Sequence, residues 1–85
     1  MKLEVRYVEW VDSCGSSGWE PLDEARKTRP LSIHTVGYVL GEDADYVTII
    51  QSYDERQNGQ PHGDHHISIP KVAVKTARTI SKARG

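Results

Sequence analysis

The stretch from Val36 to Ile50 constrains this chain more than any other. Two apolar runs, Val36-Gly37-Tyr38-Val39-Leu40 and Tyr46-Val47-Thr48-Ile49-Ile50, flank the acidic, glycine-bearing turn Gly41-Glu42-Asp43-Ala44-Asp45. Val, Ile, Tyr and Thr suit a pleated, half-buried surface, and so short a link joins neighbouring antiparallel strands. Further on, Ile67-Ser68-Ile69-Pro70-Lys71 answers this pair, with Pro70 stopping one strand before another begins at about Val74. The pattern reads as the middle of a small β-barrel.

The rest of the chain supplies the missing strands. Leu3, Val5 and Tyr7 alternate with Lys2, Glu4 and Arg6, the period of a half-buried strand. The apolar set then changes phase to Val8 and Trp10, which predicts a bulge or a sharp bend near Tyr7 to Glu9. The loop Asp12-Ser13-Cys14-Gly15-Ser16-Ser17-Gly18 is too rich in Gly and Ser for a regular element. From Trp19 to Lys27 the order of Pro21, early acids and late bases predicts a short helical segment, with Trp19 and Leu22 closing one barrel mouth. Strands follow over Leu31 to Leu40, Tyr46 to Tyr53, His65 to Ile69 and Val74 to Ile80. A 3₁₀ turn is expected over Pro70 to Ala73, and an exposed loop over Asp54 to Asp64. The expectation is one all-β domain over residues 1–81, a five-stranded barrel with one short helical segment between strands 1 and 2, and a frayed tail over 82–85.

Eighty-five residues give a marginal core, which self-association would reinforce. There is no Phe, so Trp10, Trp19, Tyr7, Tyr38, Tyr46 and Tyr53 must supply the bulky packing. The net charge of -1 argues against a strong non-specific grip on nucleic acid. Charge placement is uneven: Lys71, Lys75, Arg78, Lys82 and Arg84 all follow the last acid, Asp64, while Glu42, Asp43, Asp45, Asp54 and Glu55 crowd the middle. This predicts one acidic and one basic edge. A single cysteine, Cys14, precludes an intramolecular disulfide and fits a reducing cytoplasm. No leader is evident and no apolar run is long enough to cross a bilayer, so a soluble protein without membrane contact is expected.

The order of strand, long loop with a helical piece, three meandering strands, 3₁₀ turn and final strand resembles SH3-like and Sm-like barrels. Gly37-Tyr38-Val39, followed by Asp43, Tyr46 and Val47 to Ile50, is similar to the first Sm motif, and Ile69-Pro70-Lys71-Val72-Ala73-Val74 to the second motif region of Hfq-type proteins. A second resemblance spans nearly the whole chain. Trp10, Asp12-Ser13, Gly18-Trp19, Thr35-Val36-Gly37-Tyr38, Glu42-Asp43 and Ile69-Pro70-Lys71 resemble the pattern of small phage-encoded accessory proteins. That resemblance implies action in the host cytoplasm.

Candidate chemistry concentrates in two places. The loop from Asp12 to Gly18, between Trp10 and Trp19, offers backbone N–H groups and the hydroxyls of Ser13, Ser16 and Ser17 to phosphate oxygens, with an aromatic ring for a base. It lacks the Lys and spacing of a P-loop, and read structurally it is a flexible crossing. Lys71, Lys75 and Arg78 follow a 3₁₀ turn that exposes backbone donors, an arrangement suited to an anion or else simply a basic solvated edge. Trp10, Asp12, Ser13, Ser16, Ser17, Trp19, Lys71, Lys75 and Arg78 are therefore the candidate ligand-binding residues. His62, Asp64, His65 and His66 invite a metal reading, but consecutive strand residues point to opposite faces, so neither a metal nor a cofactor is assigned. Nothing near Cys14 activates it as a nucleophile, and no catalytic residue is assigned. Asp43 has a structural role to play, accepting backbone hydrogen bonds across its turn.

Three function classes follow. The first is a non-enzymatic, homo-oligomeric phage counter-defence protein that sequesters a nucleotide-derived immune signal, a cyclic nucleotide or an ADP-ribose derivative. The second is an Sm-like RNA-binding protein. The third is a protein adaptor or inhibitor of a host enzyme, working through an acidic turn or a strand edge.

Overall fold

The computed structural model describes residues 2–15, 17–55 and 59–82. Five antiparallel strands form one sheet: β1 (Val5–Asp12), β2 (Leu31–Glu42), β3 (Tyr46–Asp54), β4 (His62–Pro70) and β5 (Val74–Ser81). Their spatial order is β4-β3-β2-β1-β5, so β5 returns from the far end of the meander to lie beside β1. A four-residue helix, α1 (Leu22–Ala25), lies between β1 and β2, and a 3₁₀ turn (Lys71–Ala73) links β4 to β5. The sheet does not close into a barrel: among the described residues β4 and β5 are its two edges.

Pairing assigns the two faces. Val8 lies opposite Thr35 and Ala77, Trp10 opposite Ile33 and Val74, Val47 opposite Ile69, and Ile49 opposite Val39 and Ile67. Cross-strand partners share a face, so these residues make one apolar face. Val8, Trp10, Val47, Ile49 and Ile69 are its buried centre, with Ile33, Val39 and Val74 packed around them. Ile50 is buried separately, beneath Gly63, where an added Cβ would run into Ile50 Cδ1. Gly37 is also closely approached: a Cβ there would lie 2.5 Å from Ile49 Cγ2 and 2.9 Å from the Ile50 carbonyl oxygen. The glycine at position 37 of β2 is thus required by packing.

Several local expectations are corrected. β1 pairs with β2 without interruption, and the register shifts fall between Val5 and Arg6 and between Glu9 and Trp10 in its pairing with β5. The extra residues, Ile80 and Lys75, belong to β5. The phase change in β1 has another cause: both sheet faces carry apolar side chains, Val8 and Trp10 on one, Val5, Tyr7 and Val11 on the other. α1 is shorter than Trp19 to Lys27 and buries nothing; Leu22 and Trp19 are exposed and cap no mouth. With Pro21 at its N-cap and only local ion pairs, Arg26 to Asp23 and Lys27 to Glu24, it is a surface turn. β4 begins at His62, so the exposed loop ends earlier than Asp64. Asn58 and residues 83–85 lie outside the described residues.

Candidate functional site

The nine candidate residues do not converge. Trp10 is core, and its indole N–H donates to Thr35 Oγ1 at 3.0 Å. Asp12, Ser13, Ser17 and Trp19 are exposed, and the Asp12 carboxylate accepts from the Ser13 backbone N–H at 2.9 Å. Ser16 lies outside the described residues. The glycine-serine loop leaves β1 at Asp12, whereas Arg78 pairs with Tyr7 in the middle of that strand. At ~3.3 Å per residue the two are roughly 17 Å apart along β1. Lys75, at the register shift beside Glu9 and Trp10, is nearer the loop than Arg78 is.

The expected separation into acidic and basic edges is also corrected, because sheet pairing brings the late bases onto earlier acids. Lys71 Nζ lies 3.0 Å from Glu42 Oε2, and Lys75 Nζ 3.5 Å from Glu9 Oε2. Arg6 donates from Nε and Nη2 to Glu4, at 2.7 and 3.0 Å, and from Nη1 and Nη2 to Glu42, at 2.9 and 3.0 Å. Thr79 Oγ1 also donates to Glu4. The Arg6 guanidinium, then the Lys71 ammonium, hold the Glu42 carboxyl down at about 2. Arg6 lowers Glu4 as well, and its own pKa is raised in return. This clasp rims a cleft of about 270 Å³ floored by Val8, Val47, Val74 and Ala77. Its cations are already neutralised by carboxylates, so it offers an anion little.

A larger cleft, about 620 Å³, runs past Lys2, Tyr38, Gln51, Tyr53, Asp54 and Glu55. Tyr38 and Tyr53 meet edge to face there, with centroids 4.9 Å apart. Its lining carries the carboxylates of Asp54 and Glu55 and the ammonium of Lys2. Among the described residues no three His, Cys, Asp or Glu side chains converge, in the histidine segment or elsewhere. His65 Nδ1 faces Asp64 at 2.9 Å, and His62 Nδ1 lies 2.8 Å from the Gln60 carbonyl oxygen. Cys14 is exposed. Asp43 does take its structural role, accepting the backbone N–H groups of Asp45 and Tyr46 at 2.8 and 2.9 Å, which lowers its pKa.

One constellation joins residues that sequence reasoning kept apart. On the face opposite the core, His34 of β2, Tyr7 of β1 and Arg78 of β5 stand in a row across three adjacent strands. The Tyr7 and His34 rings lie side by side, with centroids 5.9 Å apart and planes 22° from parallel. Tyr7 Oη and His34 Nδ1 are hydrogen-bonded at 2.7 Å. Arg78 Cζ lies 5.1 Å from the Tyr7 ring centroid, a cation–π contact approaching from the β5 side. His34 and Arg78 are exposed and Tyr7 half-buried. Compared with known proteins, the chain matches no family model, no curated protein and no solved structure. Arg78 was a candidate from sequence, but Tyr7 and His34 were not: the partner that makes each of them useful sits on another strand, and only the register reveals it.

Proposed function

We propose that this protein is a non-enzymatic binding protein that works as a homo-oligomer and captures a nucleotide-derived ligand, in the manner of phage counter-defence proteins that sequester immune signals. The observation that carries the reading is the open sheet. β4 and β5 each have a strand on one side only, among the described residues. An outer strand presents backbone N–H and C=O groups that another strand satisfies best. Apolar residues accompany those edges: Ile67 on β4 is 37% exposed and Ile80 on β5 54% exposed. Edge-to-edge addition of a second copy would cover both and enlarge a core that is small for its chain length.

The ligand class rests on the exposed pairing of aromatic rings with a guanidinium, which suits a planar base bearing phosphate. Host cytoplasm as the place of action, and an immune signal as the captured molecule, rest on the phage-like sequence pattern. Sequestration asks for tight, slowly reversible binding and for no bond making. A protein adaptor is the second reading, because a free strand edge also accepts an extended peptide.

Native mass spectrometry of protein purified from expressing cells, with its ultraviolet spectrum, tests both parts. The expected result is a defined oligomer carrying small nucleotide-absorbing mass. An empty monomer at all working concentrations would overturn the proposal. Heterogeneous nucleic acid would bring forward RNA binding, and a stoichiometric protein partner would bring forward the adaptor.

A further inference from the structure

We propose that the His34, Tyr7 and Arg78 row is the ligand site, taking a nucleoside phosphate with its base on the free face of the His34 imidazole and its phosphate at the Arg78 guanidinium. The inference rests on the nucleotide-capture reading and locates it on the outer sheet face, away from the glycine-serine loop and away from the ion-paired cleft.

Charge and ring contact together select Arg78: among the described cations Lys2, Arg29, Arg78 and Lys82 make no ion pair with a carboxylate, and of these Arg78 lies over an aromatic ring. Arg6 is held by Glu4 and Glu42, Lys71 by Glu42, Lys75 by Glu9, Arg26 by Asp23 and Lys27 by Glu24. Arg29 is bonded to the carbonyl oxygens of Arg26 and Thr28. Arg78, among the described residues, has a ring beneath it and no carboxylate beside it. A guanidinium over a ring keeps its N–H fork for a planar or tetrahedral anion, and the phenol below fixes its height above the sheet.

The other end of the row is equally committed. The bond from Tyr7 Oη fixes the His34 ring through Nδ1. Joined to Tyr7 edge to edge, the imidazole leaves a face open, and Nε2 remains for a ribose hydroxyl or a base edge. The nearest acid, Glu9, pairs directly with His34 across β1 and β2. Its carboxylate accepts from Ser32 Oγ at 2.9 Å and faces Lys75, which lowers its pKa and offsets its repulsion of a phosphate. Base, ribose and phosphate would thus run across the strands, with Tyr7 as the fixed element between the two exposed contacts.

The test titrates the full chain with ADP, GDP and UDP by calorimetry, with adenosine and ribose 5-phosphate as half-ligands. Native mass is recorded for every variant. Saturable binding is expected, weakened about tenfold or more by either His34→Gln or Arg78→Gln, the scale of losing one stacked base or one cation contact. His34→Gln keeps a polar partner for Tyr7 and removes the ring, and it should affect adenosine more than ribose 5-phosphate; Arg78→Gln should do the reverse. Lys71→Gln, in the clasp on the other face, should leave affinity unchanged. Tight nucleotide binding indifferent to both row variants would overturn this site while leaving nucleotide capture standing. No saturable binding of any of the three nucleotides would overturn both. Arg78→Lys, which keeps the charge and loses the planar fork, should fall between wild type and Arg78→Gln.

Discussion

Trp10 sits at 7% exposure with its indole N–H bonded to Thr35, so replacing it with Phe removes a hydrogen bond and leaves a void beside Val74 and Ile33. A loss of about 1–3 kcal/mol is expected in denaturant unfolding. Trp19 is fully exposed, and Trp19→Ala should leave stability within about 0.5 kcal/mol of wild type. Trp10 should also account for the blue-shifted part of the fluorescence. Gly37→Ala tests the close approach of β2 to β3: its Cβ would meet both Ile49 and the Ile50 carbonyl, and backbone yields less readily than a side-chain tip. Overpacking of this kind costs about 1–3 kcal/mol, and the melting temperature should fall accordingly. Ile49 is fully buried, so Ile49→Ala should cost about 2–5 kcal/mol.

The strands were legible because each carries its own signal: alternation in β1, β-branched runs in β2 and β3, and Pro70 to end β4. Gly37 and Asp43 were legible for the same reason, since a glycine in a strand and an acid opening a turn have local meanings. Side-chain partners were not, because pairing is a property of register. No local pattern says that Arg6 reaches Glu42, or that Tyr7 lies between His34 and Arg78. The Arg6 clasp joins β1, the end of β2 and the 3₁₀ turn, and it carries a pH prediction. The Glu42 carboxyl titrates at about 2 in the fold against an ordinary 4.5, so its stabilising effect is complete above the ordinary value. It is lost as the pH falls through the folded value. Melting temperature should therefore drop from about pH 5 down toward pH 2, and Glu42→Gln should flatten that fall.

At the scale of the molecule, the order of the elements along the chain and the helix position follow the sequence reading, and the closed barrel does not. Strand signals specify which segments are extended; they do not specify whether the first and last edges meet. The radius of gyration is 16.8 Å and the long dimension 54 Å, against roughly 12 Å expected for the radius of a compact chain of this length. Exposed Leu31, Leu40, Val36 and Ile80 are the cost of that extension. If copies join, the melting temperature should rise with protein concentration by mass action, and small-angle scattering should give a mass above that of one chain. A concentration-independent melt with the mass of one chain would count against assembly.

Unpaired edges carry a hazard of runaway polymerisation, and β4 contains its own brake. His65 holds φ at 55°, a left-handed conformation unusual for a residue with a side chain, and it interrupts the pairing between Ile50 opposite His66 and Ser52 opposite Asp64. Pro70, with no N–H to give, closes the other end. Between them only a short run of regular template remains. An incoming strand finds a berth of fixed length and one register.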